Sequence, residues 1–490
     1  MTDTQDYMSR RWIGLILLCF AQFIVVLDAS IVNVALPSIG DALAFSQDNL
    51  AWVVNAYVLT FGGFLLLGGR MADLLGRRRV FIAGLLLVAA ASLAAGFAAN
   101  AGQLIAARAA QGLGAAIISP AALSIVTNTF RDGAERNKAL GAWGAVAGAG
   151  GAAGVLFGGI LTDGPGWEWV LWINVPVALI VAALAPRLIL ESRSESGTRH
   201  FDTAGAVSVT AGLSLLVYAL VDANDAGWGS SQTLGLLALS TALIAAFVAI
   251  ELRSRAPLVP FRIFRLRTLT GANFVGLLVG GSLFSMFFFI TLYMQQVLGY
   301  SAIDAGLSYL PLALMIIVAS GVASQLVTRV GFKPVLAIGM LLIAAALLWF
   351  SQVSVGGGYV GDILGPSLIA AAGLGFAFVT TTIAAVSGVR EQESGLASGL
   401  INTSQQVGGA LGLAVLATVA NSRTDDLLAS AGRSPSELSS ALNEGFQAAF
   451  VGGAGIAALG FVLTLVLIRG RDSRAHVALG ARAQEQPAKA

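Results

Sequence analysis

Runs of about 20 apolar residues recur along the whole of this 490-residue chain, each long enough to cross a hydrocarbon layer of roughly 30 Å. Backbone N–H and C=O groups in lipid have no water to bond, so such runs must satisfy them internally as helices. A soluble chain of this length needs a polar coat around two or three domains, yet only 11% of the residues are charged and 57% are hydrophobic. The sequence therefore describes an all-α polytopic membrane protein. Its single cysteine, Cys19, rules out a disulfide framework and a CxxC metal site. The two histidines, His200 and His476, fall in polar connecting segments, so no histidine metal centre or proton relay lies within the membrane. Arg10 and Arg11 before an apolar stretch have the look of a secretion signal, but the run from Trp12 to Leu36 is too long for one. It also carries Asp28 and leads directly into further spans, so it reads as a retained first helix.

Fourteen spans are read from the pattern, near 12–36, 49–69, 80–99, 103–126, 137–161, 170–190, 203–222, 231–251, 270–293, 304–327, 333–351, 362–386, 396–420 and 446–468. If the N-terminus is cytoplasmic, every lysine and arginine except Arg108, Arg423 and Arg433 lies on the cytoplasmic side. Miscounting one helix would scramble that alternation. Both termini are therefore expected in the cytoplasm.

Internal similarity divides the chain further. Gln111-Gly112-Leu113-Gly114 in span 4 matches Ala372-Gly373-Leu374-Gly375 in span 12, an offset of 261 residues. The turn Gly76-Arg77-Arg78 matches Gly331-Phe332-Lys333 at 255, and Gly141, Gly151 and Gly154 match Gly399, Gly409 and Gly412 at 258. Three matches in chain order at similar offsets point to a duplication. The expected organisation is an N-terminal six-helix bundle over 1–200, an inserted helix pair over 201–255, a C-terminal six-helix bundle over 256–470 and a disordered polar tail over 471–490.

Several motifs resemble those of the major facilitator superfamily, specifically its fourteen-helix drug:proton antiporter branch. Leu27-Asp28 through Ile31-Val32-Asn33-Val34-Ala35-Leu36-Pro37 resembles that branch's first-helix signature. Gly69-Arg70 with Asp73 and Gly76-Arg77-Arg78 is similar to the superfamily's loop between helices two and three. Arg108 with Gln111-Gly112 and Gly114 resembles its fourth-helix motif, and Trp167-Glu168-Trp169 with Ile173-Asn174-Val175-Pro176 also resembles the branch. The fifth-helix antiporter motif keeps its glycines at Gly148, Gly151, Gly154, Gly158 and Gly159, but Val155 stands where the family usually has proline. The resemblance implies a major facilitator fold. It also implies export of small amphipathic drugs or antibiotics in exchange for protons, across a bacterial cell (inner) membrane, by a monomer that needs no cofactor, metal or nucleic acid. An uptake symporter of the same fold, importing a small nutrient, remains the alternative; no catalytic constellation or soluble domain supports an enzyme.

Elementary physics assigns candidate roles within that frame. Asp28 and Arg108 are the charged side chains placed well inside spans. At about 1.5 Å per residue, Asp28 lies some 12 Å from the outer end of its helix and Arg108 roughly 8 Å from its own. Opposite charges at similar depth suit each other, because an unpaired charge in hydrocarbon is costly. Burial disfavours the charged form of a carboxyl and a nearby guanidinium favours it, a balance suited to carrying a proton. Gly69, Arg70, Asp73, Gly76, Arg77 and Arg78 are expected to form a cytoplasmic latch that breaks and reforms. The glycines of span 5 let helices pack closely and pivot. Candidate liners of the substrate cavity are Gln22, Asn33, Asn55, Gln111, Gln295, Asn402 and Gln405, with Phe287, Phe288, Phe289 and Tyr293 as an aromatic addition.

Overall fold

The apolar runs become helices whose ends are marked by capping side chains and by glycines with positive φ. A computed structural model describes residues 2–45, 50, 52–130, 133–192, 202–254, 257–431 and 435–485. Every regular element among these residues is helical. The first group is α1 (Thr2–Ala42), α2 (Trp52–Leu75), α3 (Arg77–Gly96), α4 (Ala101–Thr129), α5 (Ala134–Asp163) and α6 (Glu168–Leu188, interrupted at Ile173). Next come α7 (Thr203–Ala226) and α8 (Ser231–Arg253). The last group is α9 (Arg267–Val297), α10 (Ile303–Val330), α11 (Phe332–Phe350), α12 (Tyr359–Val386), α13 (Ser394–Ala431), α14 (Pro435–Leu467) and α15 (Gly470–Glu485). The side chains of Asn100, Asp202 and Ser230 each accept a free N–H in the first turn of α4, α7 and α8, from Gln103, Gly205 and Thr233.

Twelve of these helices are long and apolar enough to cross a membrane, and α5 makes a thirteenth if its 40° bend at Gly151 is taken within one span. The long helix α13 is less apolar because Asn402, Ser404, Gln405 and Gln406 interrupt it.

Packing within the two groups follows one plan. In the first, α5 lies along α1; in the second, α13 lies along α9. Both crossings are built on glycine. A methyl added at Gly154 would overlap the Ser30 side chain, and one at Gly408 would overlap the backbone of Leu277. The turns α2–α3 and α10–α11 both pass through a left-handed glycine, Gly76 (φ 107°) and Gly331 (φ 85°), a conformation that side chains with a Cβ resist. The segment after the last span of each group covers the turn. Arg77 donates its backbone N–H to the Ser192 carbonyl at 2.9 Å, and Lys333 donates its own to Ser473 Oγ at 3.1 Å.

That second contact corrects the expectation for the tail. Residues through Glu485 are helical in α15, and Ser473 is buried against the Gly331 turn. Thr268 Oγ1 adds a hydrogen bond to Asp472 Oδ2 at 3.2 Å, tying α15 to the start of α9. The remaining positions, 486–490, lie outside the described residues.

The hairpin α7–α8 docks against α2 and α13. Trp228 donates to Thr418 Oγ1 at 2.6 Å at one end. At the other, both Glu251 carboxylate oxygens accept backbone N–H groups of the following linker, from Leu258 (3.2 Å) and Val259 (3.0 Å). Leu258, Val259 and Ile263 of that linker join Leu66 of α2 and Leu396 of α13 in one apolar cluster.

Candidate functional site

Asp28 on α1 and Arg108 on α4 form a buried ion pair, with Arg108 Nη1 2.7 Å from Asp28 Oδ2. Arg108 is fully buried and Asp28 is 2% exposed. The guanidinium is held on every edge: Nε donates to the Val53 carbonyl (3.0 Å), Nη1 also to Gln111 Oε1 (2.9 Å) and Nη2 to the Asp28 carbonyl (3.4 Å). Its carbon lies 4.5 Å from the centre of the Tyr57 ring, a cation–π contact. The other carboxylate oxygen, Asp28 Oδ1, accepts from Gln111 Nε2 (3.2 Å) and from Asn174 Nδ2 (2.6 Å). Asn174 opens the second half of α6, just beyond the interruption at Ile173, and is fully buried. Three helices, α1, α4 and α6, thus meet at one carboxylate while α2 holds its guanidinium partner, an arrangement that lets a charge persist in the interior.

One sequence expectation changes here. Gln111, a candidate cavity liner, has both ends of its amide engaged: Oε1 accepts from Arg108 while Nε2 donates to Asp28 and to Ser92 Oγ (2.7 Å). It is part of the charged centre. Asn174, Tyr57 and Ser92 belong to that centre too, and of these only Asn174 lies in one of the family-like motifs. The residue type alone does not show whether an amide or hydroxyl on an apolar helix meets a cavity or a buried charge.

The helix pairs α2–α13 and α5–α10 bring the two groups together at the face rich in arginine. Asp73, on α2 and fully buried, accepts two N–H groups from the first turn of α13, Gly395 at 3.1 Å on Oδ1 and Leu396 at 3.0 Å on Oδ2. Free N–H groups and the helix dipole make that turn a natural seat for a carboxylate. Arg77 secures Asp73 from its own group, donating to Oδ1 from Nε (3.2 Å) and Nη2 (2.8 Å). Gly69 and Gly395 permit the approach, since a methyl on either would overlap the other's carbonyl. Ser394 hydrogen-bonds Ser124 and accepts from Asn128 of α4, each at 2.7 Å. At the equivalent crossing, Asn137 of α5 donates to Thr328 Oγ1 of α10 at 3.0 Å, with Gly141 packed on Ser324. One closure uses a carboxylate, its counterpart an uncharged pair.

The expected latch residues therefore divide by role. Arg70 donates to the Pro257 carbonyl of the linker (3.3 Å), whereas Arg78 bonds the Pro186 and Ile189 carbonyls of α6 and its loop. Gly76 forms the turn. Among the motif glycines, Gly154 and Gly158 pack on α1 and Gly159 on Ile303, but a methyl at Gly151 would meet nothing within 4 Å, so close packing does not require glycine there. Gly148 lies on the same helix. Of the cavity candidates, Gln22 and Gln405 are buried, with Gln22 Oε1 and Gln405 Nε2 lacking a hydrogen-bond partner. Asn33 is exposed and bonds the Ala29 carbonyl, Asn402 bonds that of Ser398, and Asn55 and Gln295 are half-buried. Phe289 and Tyr293 belong to the core, Phe288 faces outward, and Phe287 packs at a tilt against the Tyr309 ring.

The family model of the Major Facilitator Superfamily matches residues 18–413. The chain belongs to this superfamily. Among its relatives are the cephamycin export protein CmcT of Amycolatopsis lactamdurans, 41% identical over 91% of each chain, and the puromycin resistance protein pur8 of Streptomyces alboniger, 40% identical over 96% of this chain and 93% of that one. The human organic anion transporter MFSD10 shares the fold, with a TM-score of 0.63, 16% identity and 94% and 99% of the two chains covered. The drug-export and antibiotic-resistance transporters of the superfamily are thus the near relatives, and the all-helical facilitator fold frames both the charged centre and the Asp73 closure.

Within this facilitator fold, Asp73→Asn tests the closure. Hydrogen bonds to a charged group contribute about 1.5–3 kcal/mol, so losing the charge is expected to raise the open population at this face roughly ten- to hundredfold. Spin-label distances between the ends of α2 and α13 should lengthen, while Thr328→Ala produces a smaller change. An unaltered distance distribution in Asp73→Asn would remove the carboxylate from the gate.

Proposed function

We propose that this chain is a proton-coupled exporter of small amphipathic compounds, drugs or antibiotics among them, working by alternating access. The charged centre carries the reading: one carboxylate, held by an arginine and two amides in an otherwise apolar interior, changes the charge of the interior when it takes up a proton. The relatives named for cephamycin export and puromycin resistance support the direction of transport.

In this reading α5 and α13 join the twelve apolar helices to give fourteen spans, both termini are cytoplasmic, and the arginine-rich face carrying Asp73 is the cytoplasmic one. The protein works as a monomer in a bacterial cell (inner) membrane, and the proton gradient takes the place of a cofactor. With the Asp73 closure made, a proton reaches Asp28 from outside. The closure then opens, the proton leaves to the cytoplasm, and substrate enters from the cytoplasm or the inner leaflet. Gln22 and Gln405, each with an idle buried polar end, would meet the substrate once the two groups part.

Everted vesicles holding the protein, challenged with a panel that includes a cephamycin and puromycin, test the proposal. Gradient-dependent accumulation of at least one compound inside the vesicles is expected. Movement of a nutrient in the opposite direction, with none of the panel accumulated, would replace export by proton-driven uptake.

A further inference from the structure

Asn174 differs from the other groups around Asp28 in one respect. Its Nδ2 donates to Asp28 Oδ1 at 2.6 Å, but its own Oδ1, fully buried, has no hydrogen-bond partner. An idle carbonyl in a dry interior is costly, and buried polar groups are nearly always satisfied. Gln111, bonded to the same carboxylate oxygen, is the useful contrast. Its carbonyl accepts from Arg108 and its NH2 donates to both Asp28 and Ser92, so turning it over would break three hydrogen bonds. Turning Asn174 over breaks one.

We infer that Asn174 is a two-position amide that serves Asp28 in both of its protonation states, donating to the carboxylate and accepting from the carboxylic acid. This deepens the proposed coupling role of Asp28 and rests on it. The ionised carboxylate needs donors only, and Arg108, Gln111 and Asn174 supply them. When a proton from solution binds Oδ1, the acid has one O–H that requires an acceptor. Gln111 has no acceptor to offer, since its carbonyl is held by Arg108. Rotation of Asn174 by about 180° about its Cβ–Cγ bond brings Oδ1 to that O–H and moves the NH2 to where the carbonyl stood. Each position leaves one end of the amide idle, so the amide itself favours neither, and the carboxyl's protonation decides.

The surroundings contain nothing else that competes for the proton. Among the described residues, the charged or titratable groups facing Asp28 are Arg108 from α4 and Tyr57 from α2, whose hydroxyl donates to the Val25 carbonyl at 2.9 Å. From α3, α5 and α6 come Ser92, Gly154 against neighbouring Ser30, and Asn174. Asn174 is therefore a positioning residue for the proton carried by Asp28.

An acid-minus-neutral infrared difference spectrum of the full chain reconstituted in liposomes tests this directly. The wild type should show a carboxylic C=O band that is absent in Asp28→Asn, together with a side-chain amide band. Asn174→Leu, similar in size but unable to donate or accept, should lose the amide band and move the acid band to higher frequency. Substrate-driven proton release should fall about tenfold, the effect of one hydrogen bond. Asn174→Ser, whose hydroxyl sits on Cβ and is too short to reach Asp28 Oδ1, should likewise lose the amide band and slow proton release, and it carries the comparison if the leucine variant fails to fold. An amide band that persists in either variant, or an acid band unmoved in Asn174→Leu with release at the wild-type rate, overturns the inference. If instead Asp28→Asn retains the acid band and proton release, the coupling role of Asp28 fails first, and the role of Asn174 with it.

Discussion

Asp28→Asn is expected to abolish gradient-driven export while the protein remains in the membrane and still binds substrate. The substitution keeps the size and one acceptor of the side chain, so Arg108 Nη1 retains a hydrogen bond where it now meets Asp28 Oδ2 at 2.7 Å. What changes is the other end. An NH2 group now faces the NH2 groups of Gln111 and Asn174, which currently donate to Asp28 Oδ1. Asn174 can turn over to accept; Gln111 cannot without giving up Arg108 and Ser92. The local cost is one strained donor contact, about 1–3 kcal/mol, tolerable in a bundle of this size. The functional cost is total in kind, because an amide cannot carry a proton between the two faces. Substrate binding measured by tryptophan fluorescence, alongside accumulation in everted vesicles, separates the two effects.

The second large effect belongs to Arg108. Arg108→Leu leaves the Asp28 carboxylate buried beside two amides with no positive charge, and breaking a buried pair by removing one partner costs about 3–5 kcal/mol. Lower yield and a lower melting temperature should accompany the loss of transport. Arg108→Lys is expected to recover little. The guanidinium reaches Val53, Asp28 and Gln111 from three nitrogens and places its carbon 4.5 Å from the centre of the Tyr57 ring, whereas an ammonium gathers its donors at one point. The double variant Asp28→Leu/Arg108→Leu should regain much of the stability lost by the single one without regaining transport, since apolar replacement of a whole buried pair is often neutral or stabilising. Full transport by the lysine variant would reduce the pair to a simple positive charge near an acid.

The charged centre was legible where chemistry is expensive. An aspartate and an arginine inside apolar runs demand each other, and the structure places them 2.7 Å apart. Amides carry no such signal. Gln111 read as a cavity liner because spacing does not reveal that both its ends are engaged, and Asn174 appeared only as a letter in a motif. The positive-φ turns at Gly76 and Gly331 were legible through the repeat. The identity of Asp73's partners was not, since two backbone N–H groups from a helix more than 300 residues away leave no trace in side-chain composition. The tail read as disordered because its composition is polar. Its docking depends on Ser473 and Asp472 meeting Lys333 and Thr268, a local fit that averages conceal.

Proton release counted in everted vesicles tests the central claim most directly. With an acid interior established and a pH-sensitive dye trapped inside, addition of a transported compound should dissipate the gradient in vesicles carrying the wild type. It should leave the gradient intact in vesicles carrying Asp28→Asn at equal protein density. Equal dissipation by both, or none by a wild type that still accumulates the compound, would contradict proton exchange through Asp28.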